Sequence, residues 1–264
     1  MNNLLVERSE HVVTLTLNRP ERRNAMSRAL LDSMIDTCEA LRADSFARIV
    51  VIRAAGTDFS VGVDLKDPEN AKISQAPLGE RRRLLQLGPR LMAAVQMLPQ
   101  TTICALQGQC LGGASCLALA CDLRLAGSDL RFGMPEVLRG MTMSWRSVPL
   151  MVEHFGPART KELLLTGRSI DAHEALAWGL ANRLITGGVE ALHRATQDWA
   201  HELSATVPPL AATMVKDTVN AIANFRTPLV HMDTEQYLVA QATEDHRESV
   251  AAFLQKRTPS FKGE

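Results

Sequence analysis

No charge of one sign dominates this chain: across 264 residues, Lys plus Arg and Asp plus Glu each number 29. That balance argues against a general binder of nucleic acid or of an anionic membrane surface, and leaves room only for a local basic spot facing a phosphorylated ligand. Cysteines are few and odd in number. Cys38, Cys104, Cys110, Cys116 and Cys121 lie mostly in apolar runs, with no CxxC pair and no Cys/His cluster, so reduced thiols in a cytoplasmic protein are the simpler expectation. The histidines (His11, His154, His173, His193, His201, His231, His246) are scattered, and no His/Asp/Glu spacing suits a metal, so none is expected. Long apolar runs are missing as well. No segment reaches the roughly eighteen uninterrupted apolar residues of a membrane span, and the start, MNNLLVERSEHVV, has neither the basic head nor the apolar stretch of a signal peptide. A soluble intracellular protein is the expectation. No tract rich in Gly, Ser or Pro divides the chain either, so we read one body, residues 1–200, with a helical C-terminal region, residues 201–264.

What is present is an α/β pattern. Residues 4–6 and the Thr-alternating run 12–17 read as a hairpin, and the apolar runs 49–52 and 101–106 as buried strands. Ser27 can cap a helix that places Leu30, Leu31, Met34, Ile35, Cys38 and Leu41 on one face. A polar loop is expected over residues 67–79, followed by one helix carrying Leu84, Leu85, Leu91, Met92 and Val95. From about Pro157 helices dominate, around residues 161–165, 172–178, 189–204, 209–223 and 230–253. The most informative stretch is residues 106–136, LQGQCLGGASCLALACDLRLAGSDLRFGMPE. It joins a glycine pair at the start of an apolar helix to a single acid in a Gly-Met-Pro-Glu turn. Exposed N–H groups at a helix start suit an anion, and a lone carboxylate facing them suggests proton transfer beside a stabilised oxyanion.

Five segments together resemble the crotonase family, the enoyl-CoA hydratase/isomerase superfamily: LNRPERRNAMS (17–27), GTDFSVGVDLK (56–66), LGGASCLALACDLRLA (111–126), FGMPEV (132–137) and AFLQKRTPSF (252–261). Their order and separations are similar to the family's along nearly the whole chain. The resemblance implies a spiral of repeated ββα turns with a C-terminal helical region for trimerisation, often as a dimer of trimers. It also implies acyl-CoA thioester ligands, with no cofactor beyond the coenzyme A that the substrate carries.

The same resemblance assigns two backbone N–H groups, on Val63 and Gly113, to the thioester oxygen. Fixed donors need not reorganise as charge develops, and losing one typically costs roughly 10² to 10³ in rate. Taken singly, Val63 reads equally as core, and Gly112 with Gly113 as close packing at a strand-to-helix turn. Val61-Gly62-Val63 departs from the family's frequent Ala-Gly-Ala, and its β-branched side chains should narrow the space beside the thioester. Val61, Leu65, Gly112, Cys116, Ser144 and Trp145 are the candidate substrate-pocket residues. Cys116 stands where relatives that add water carry a first glutamate, and Glu136 matches the second. One acid fits a double-bond shift, lifting a proton and returning it elsewhere, better than hydration. Against the apolar Phe132, Met134 and Val137, the pKa of Glu136 would rise towards that of a useful base; on its own it reads also as a surface turn residue. Close to a helix start, Cys116 reads as a thiolate nucleophile or, with no histidine in its segment, as inert core. In Ser144-Trp145-Arg146 many relatives carry small residues, so Trp145 either lines the acyl pocket or belongs to the core, while Ser144 offers a hydroxyl. For the phosphates and adenine of coenzyme A the candidates are Arg22, Arg23 and Ala25 in the turn before the first helix, and Phe253 with Lys256, which match family positions reaching over from a neighbouring subunit. Arg81, Arg82 and Arg83 add to that field or form a solvated helix face. Three functions follow: an enoyl-CoA isomerase with Glu136 as base, a hydratase in which Ser144 or water replaces the lost acid, and a non-catalytic acyl-CoA binder.

Overall fold

Six buried residues in a row, Val12–Leu17, demand apolar cover on both faces of a strand, and the architecture grows from that demand. The computed structural model describes residues 2–225 and 238–260. In chain order its elements are β1 (Leu4–Ser9), β2 (Val12–Leu17), α1 (Arg28–Arg42), β3 (Ile49–Ala54), α2 (Pro68–Gln75), α3 (Leu78–Leu85), α4 (Leu87–Gln96), β4 (Thr101–Leu106), β5 (Gln109–Leu111), α5 (Gly113–Ala120), β6 (Leu123–Gly127), β7 (Arg131–Gly133), α6 (Ser147–Thr166), β8 (Ser169–Asp171), α7 (Ala172–Ala177), β9 (Arg183–Ile185), α8 (Gly188–Thr206), α9 (Pro209–Phe225) and α10 (Glu244–Gln255). Two 3-10 helices, Pro20–Arg22 and Pro135–Arg139, complete it.

The hairpin of β1 and β2 pairs Leu4 with Leu17 and Ser9 with Val12. Among the described residues β3, β4, β6 and β9 extend it in parallel, in the order β1-β2-β3-β4-β6-β9. Because side chains alternate across a strand, the sheet has two apolar faces. Val13, Leu15, Leu17, Val50, Ile52, Cys104 and Leu106 join the core with α1, α4 and α5, whereas Val12, Ile49, Val51, Ile103, Ala105 and Leu125 pack on Leu192 and Ala200 of α8.

A second sheet holds β5, β7 and β8 in that order. Single bridges from Ser60 to Cys110 and from Met26 to Val63 prolong it. After each of β3, β4 and β6, then, the chain lays a short segment into this second sheet, and a helix returns it to the first. That is the expected spiral of ββα turns, and it gathers the segments around Met26, Val63, Cys110 and Phe132 side by side.

Ser27 caps α1 by accepting from the Leu30 N–H at 3.3 Å, and the buried face is Leu30, Leu31, Met34, Ile35, Cys38 and Leu41, as its spacing predicts. Other expected element bounds need correction. The loop expected over residues 67–79 contains α2, whose start is an Asp67 cap followed by Pro68 at the first helical position, the pairing that favours helix entry. The single helix expected to carry Leu84 through Val95 is two, α3 and α4, broken at Gln86. Pro89 has no N–H to give the Leu85 carbonyl, so one helix cannot run through. The segment expected at 161–165 is the end of the longer α6, interrupted at Gly156 (φ 72°) before Pro157. The division expected at residue 200 falls inside α8. Of the helical stretch expected over 230–253, residues 230–237 lie outside the described residues and α10 starts at Glu244, capped by Thr243. None of the helices described is long and apolar enough to cross a membrane.

Removing the α1 cap tests the local account: Ser27→Ala should lower unfolding free energy by about 1 kcal/mol, read from the urea midpoint at unchanged slope.

Candidate active site

Strand geometry singles out the Val63 N–H. In the bridge to Met26, the Met26 N–H donates to Gly62 O (2.8 Å) and the Asp64 N–H donates to Met26 O (3.0 Å). Alternate residues of a strand face opposite sides, so the Val63 N–H points away from Met26. On that other side lies the start of α5. A Cβ built on Gly62 would come 2.7 Å from Leu111 O and 3.6 Å from Gly113 N. Gly113 is the first residue of α5, where an N–H has no carbonyl one turn back to meet. Gly112 before it sits at φ 58°, ψ −124°, a conformation open in practice to glycine alone. The structure thus brings both expected donor residues to one place, and glycine at 62 and 112 is what permits the approach.

Glu136 closes the arrangement. Its Oε1 lies 2.7 Å from where a Gly112 Cβ would stand, so the missing side chain makes room for the carboxylate. The Gly112 N–H donates to Gly133 O (2.9 Å), and Ser115 Oγ lies 2.8 Å from both Gly133 O and Cys110 O. These bonds tie the helix start directly to the turn that carries Glu136. Oε2 is buried and has no hydrogen-bond partner among the described residues. Burial pushes the Glu136 carboxyl above its ordinary range, against the opposing pull of its own N–H and of Arg139.

Cys116 lies one turn into α5, its N–H bonded to Gly112 O, and it is buried in the same core as Leu117 and Leu119. Trp145 is half-buried, and its indole packs against Gly113 on one helix and Gly88 on another. Ser144 contributes its carbonyl to the turn, accepting from the Ser147 N–H at 3.1 Å. Val61 is half-buried and hydrogen-bonded to Arg23 O, while the Val63 and Leu65 side chains are exposed at the mouth of the site.

The coenzyme A candidates fall into two groups, and no hydrogen bond, ion pair or ring contact joins them among the described residues. Arg22 is exposed, Ala25 is buried, and Arg23 is paired with Asp58 at 2.7 Å. Burial alone would push the Asp58 carboxyl up, but the Arg23 guanidinium and the Gln109 N–H outweigh it and hold it below the usual carboxylate range. Phe253 and the α10-capping Lys256 lie elsewhere, on a helix that docks onto the Glu136 turn of the same chain. There Ser249 Oγ donates to Leu138 O (3.1 Å), His246 Nδ1 meets Arg139 O (3.0 Å), and the Arg139 guanidinium stacks 4.8 Å from the Phe253 ring.

Sequence reasoning missed the supports. The half-buried Arg19 pairs with the buried Asp64 (2.9 Å) and also donates to Ala25 O, pinning the Val63 segment to the turn before α1. Asn24, buried at φ 53°, donates to Ala55 O and Asp58 O. Both belong to the LNRPERRNAMS segment, whose motif was visible while its contacts were not. Ser115 and Gly88 gave no signal that composition could separate from packing. No group of three or more His, Cys, Asp or Glu among the described residues is placed to hold a metal ion.

Comparison with known proteins follows the same lines. Residues 7–264 match the model of a family described as enoyl-CoA hydratase/isomerase. The 2,3-dehydroadipyl-CoA hydratase of Escherichia coli (strain K12) is 31% identical over 267 residues, covering 100% of both chains. A putative enoyl-CoA hydratase of Thermus thermophilus is 34% identical over 257 residues, covering 95% of this chain and 97% of the relative. Among solved structures, an enoyl-CoA hydratase/isomerase from Pseudoalteromonas atlantica T6c matches with a TM-score of 0.86 at 27% identity, covering 99% of this chain and 100% of the other.

The strained acid gives a stability test. Because folding raises the Glu136 pKa, its contribution is most favourable below the unfolded-state value and is lost as pH rises through the folded value. Glu136→Gln removes that cost. Its Tm should therefore equal or exceed the parent's at pH 8, and the advantage should shrink towards pH 4; a variant less stable at pH 8 than at pH 4, relative to the parent, contradicts the burial account.

Proposed function

The chain belongs to the enoyl-CoA hydratase/isomerase family, and from that premise we propose that it shifts the double bond of an enoyl-CoA thioester, with Glu136 as the single general base. The observation that carries this reading is the Glu136 carboxylate seated over Gly112, while one turn along α5 the chain offers the buried thiol of Cys116 instead of a second acid. In a 3-enoyl-CoA the Glu136 carboxylate takes a proton from C2. The electron pair of that C–H bond delocalises onto the thioester oxygen, where the N–H groups of Val63 and Gly113 stabilise it. The same carboxyl then returns the proton to C4, the carbonyl re-forms, and the double bond stands between C2 and C3. Atoms and charge balance with no second acid, no metal and no cofactor beyond the coenzyme A of the substrate.

Burial of the base supports the scheme in two ways. It raises the carboxyl pKa, which strengthens the base, and it keeps water from competing for the proton. A hydratase reading is favoured by the printed names of relatives such as the Escherichia coli and Thermus thermophilus proteins. It requires a second group, Ser144 or bound water, to do the work of the missing acid. For assembly, the trimer or dimer of trimers remains a proposal; α9 leaves Leu210, Met214, Val215, Val219 and Ile222 exposed, a face that further copies of the chain would cover.

Incubation with a 3-enoyl-CoA should yield the conjugated 2-enoyl-CoA, with kcat/KM falling at low pH through a limb above the ordinary glutamate value of about 4.3. Glu136→Gln should cost roughly 10² to 10⁴ in rate, and an unchanged rate removes the proposal. Crotonyl-CoA should be hydrated little or not at all, followed at the absorbance of the conjugated thioester; brisk hydration selects the second reading. Cys116→Glu should introduce hydration if the second acid alone is lacking.

A further inference from the structure

Two consecutive glycines at the start of α5 each leave a space that one side chain fills: Glu136 meets Gly112, and the Trp145 indole meets Gly113, its Cζ3 lying 2.7 Å from where a Cβ would stand. The other contact of the indole is Gly88 in α4, where a Cβ would overlap Cε2, Nε1 and Cδ2. No side chain at residue 88 is compatible with the ring in this position. The indole therefore occupies the cleft where α4 and α5 begin, against the residue next to the one that the base meets. Resting on these contacts and on the acyl-CoA reading given above, we propose that Trp145 is the specificity-determining residue of the site, closing the acyl end of the pocket so that it accepts short, unbranched acyl groups.

The backbone holds the ring there. Trp145 and Arg146 both lie in the left-handed region, at φ 59° each, a conformation that bulky residues rarely adopt, still less two in succession. Arg146 then forms the N-cap of α6, and the Ser147 N–H closes the turn onto Ser144 O. The ring packs against the main core on one side yet stays partly exposed beside Gly113, and two glycines receive it. Strain persists where surrounding structure over-determines it, which is where function is the first hypothesis. Glu136 and Trp145 thus meet consecutive residues at the start of α5, and in the proposed complex an acyl chain extending past C4 runs into the indole.

Binding tests this without turnover, by isothermal titration with butyryl-CoA and decanoyl-CoA. In an open channel each further buried CH₂ would raise affinity roughly fourfold, so affinity would climb steeply with length. The parent protein should instead bind decanoyl-CoA no more tightly than butyryl-CoA. Trp145→Ala should improve decanoyl-CoA affinity at least tenfold relative to butyryl-CoA, and Trp145→Phe, keeping an aromatic wall, should stay near the parent ratio. A parent whose affinity rises with chain length overturns the wall, whether or not the alanine variant folds. A folded Trp145→Ala that leaves the ratio unchanged does the same. Failure of the parent to bind butyryl-CoA at all sinks the acyl-CoA reading beneath it, whereas loss of the wall alone leaves that reading and the role of Glu136 standing.

Discussion

The hydrogen bond from the Gly112 N–H to Gly133 O is the contact on which the site depends. It joins the segment that offers the Gly113 N–H to the turn that carries Glu136, and Ser115 Oγ, 2.8 Å from the same carbonyl, reinforces it. Both partners need glycine or close-packed backbone. Gly112 adopts a φ/ψ pair that a side chain would forbid, and a Cβ on Gly133 would stand 2.6 Å from Ser169 Oγ. In the proposed reaction, base and donor would therefore be fixed relative to each other before any ligand arrives, which is the condition under which backbone donors stabilise developing charge most effectively.

The second proposed donor is positioned by a different chain of contacts. Val63 follows Gly62, whose bare Cα lets the two segments close up, and the next residue, the buried Asp64, is held by an ion pair to Arg19. Breaking such a pair typically costs more than the pair contributes, and it ties Asp64 to the turn before α1. The spiral supplies the rest, since consecutive turns lay the segments of Met26, Val63, Cys110 and Phe132 beside one another. The whole site is thus assembled from chain segments far apart in sequence, with α10 bracing the Glu136 turn through Ser249 and His246.

Legibility in the sequence followed the physics of each signal. Periodicity gave α1 and its buried face residue by residue, and the Ser27 cap with it, because both are local. The glycine pair and the lone acid were visible because a helix-start donor and a carboxylate leave short motifs. Asp67-Pro68 is a helix start that the polar composition of residues 67–79 masks. The split between α3 and α4 turns on Pro89, which the apolar spacing running through Leu84 to Val95 hides. The partners of Trp145 were beyond reach: Gly88 lies in a different helix, and nothing local distinguishes a glycine that receives an indole from one that merely bends the chain. Contacts across the fold, such as Arg19 with Asp64, likewise required the topology.

The central claim is that one buried carboxylate exchanges a proton with the α-carbon of a thioester held by two backbone amides. Deuterium entry at C2 of butyryl-CoA in deuterated water, followed by mass spectrometry, reads that exchange without requiring any double bond to move. The account predicts steady incorporation with the parent protein and essentially none with Glu136→Gln. Equal incorporation by both, or none by a parent that binds the thioester, would contradict it.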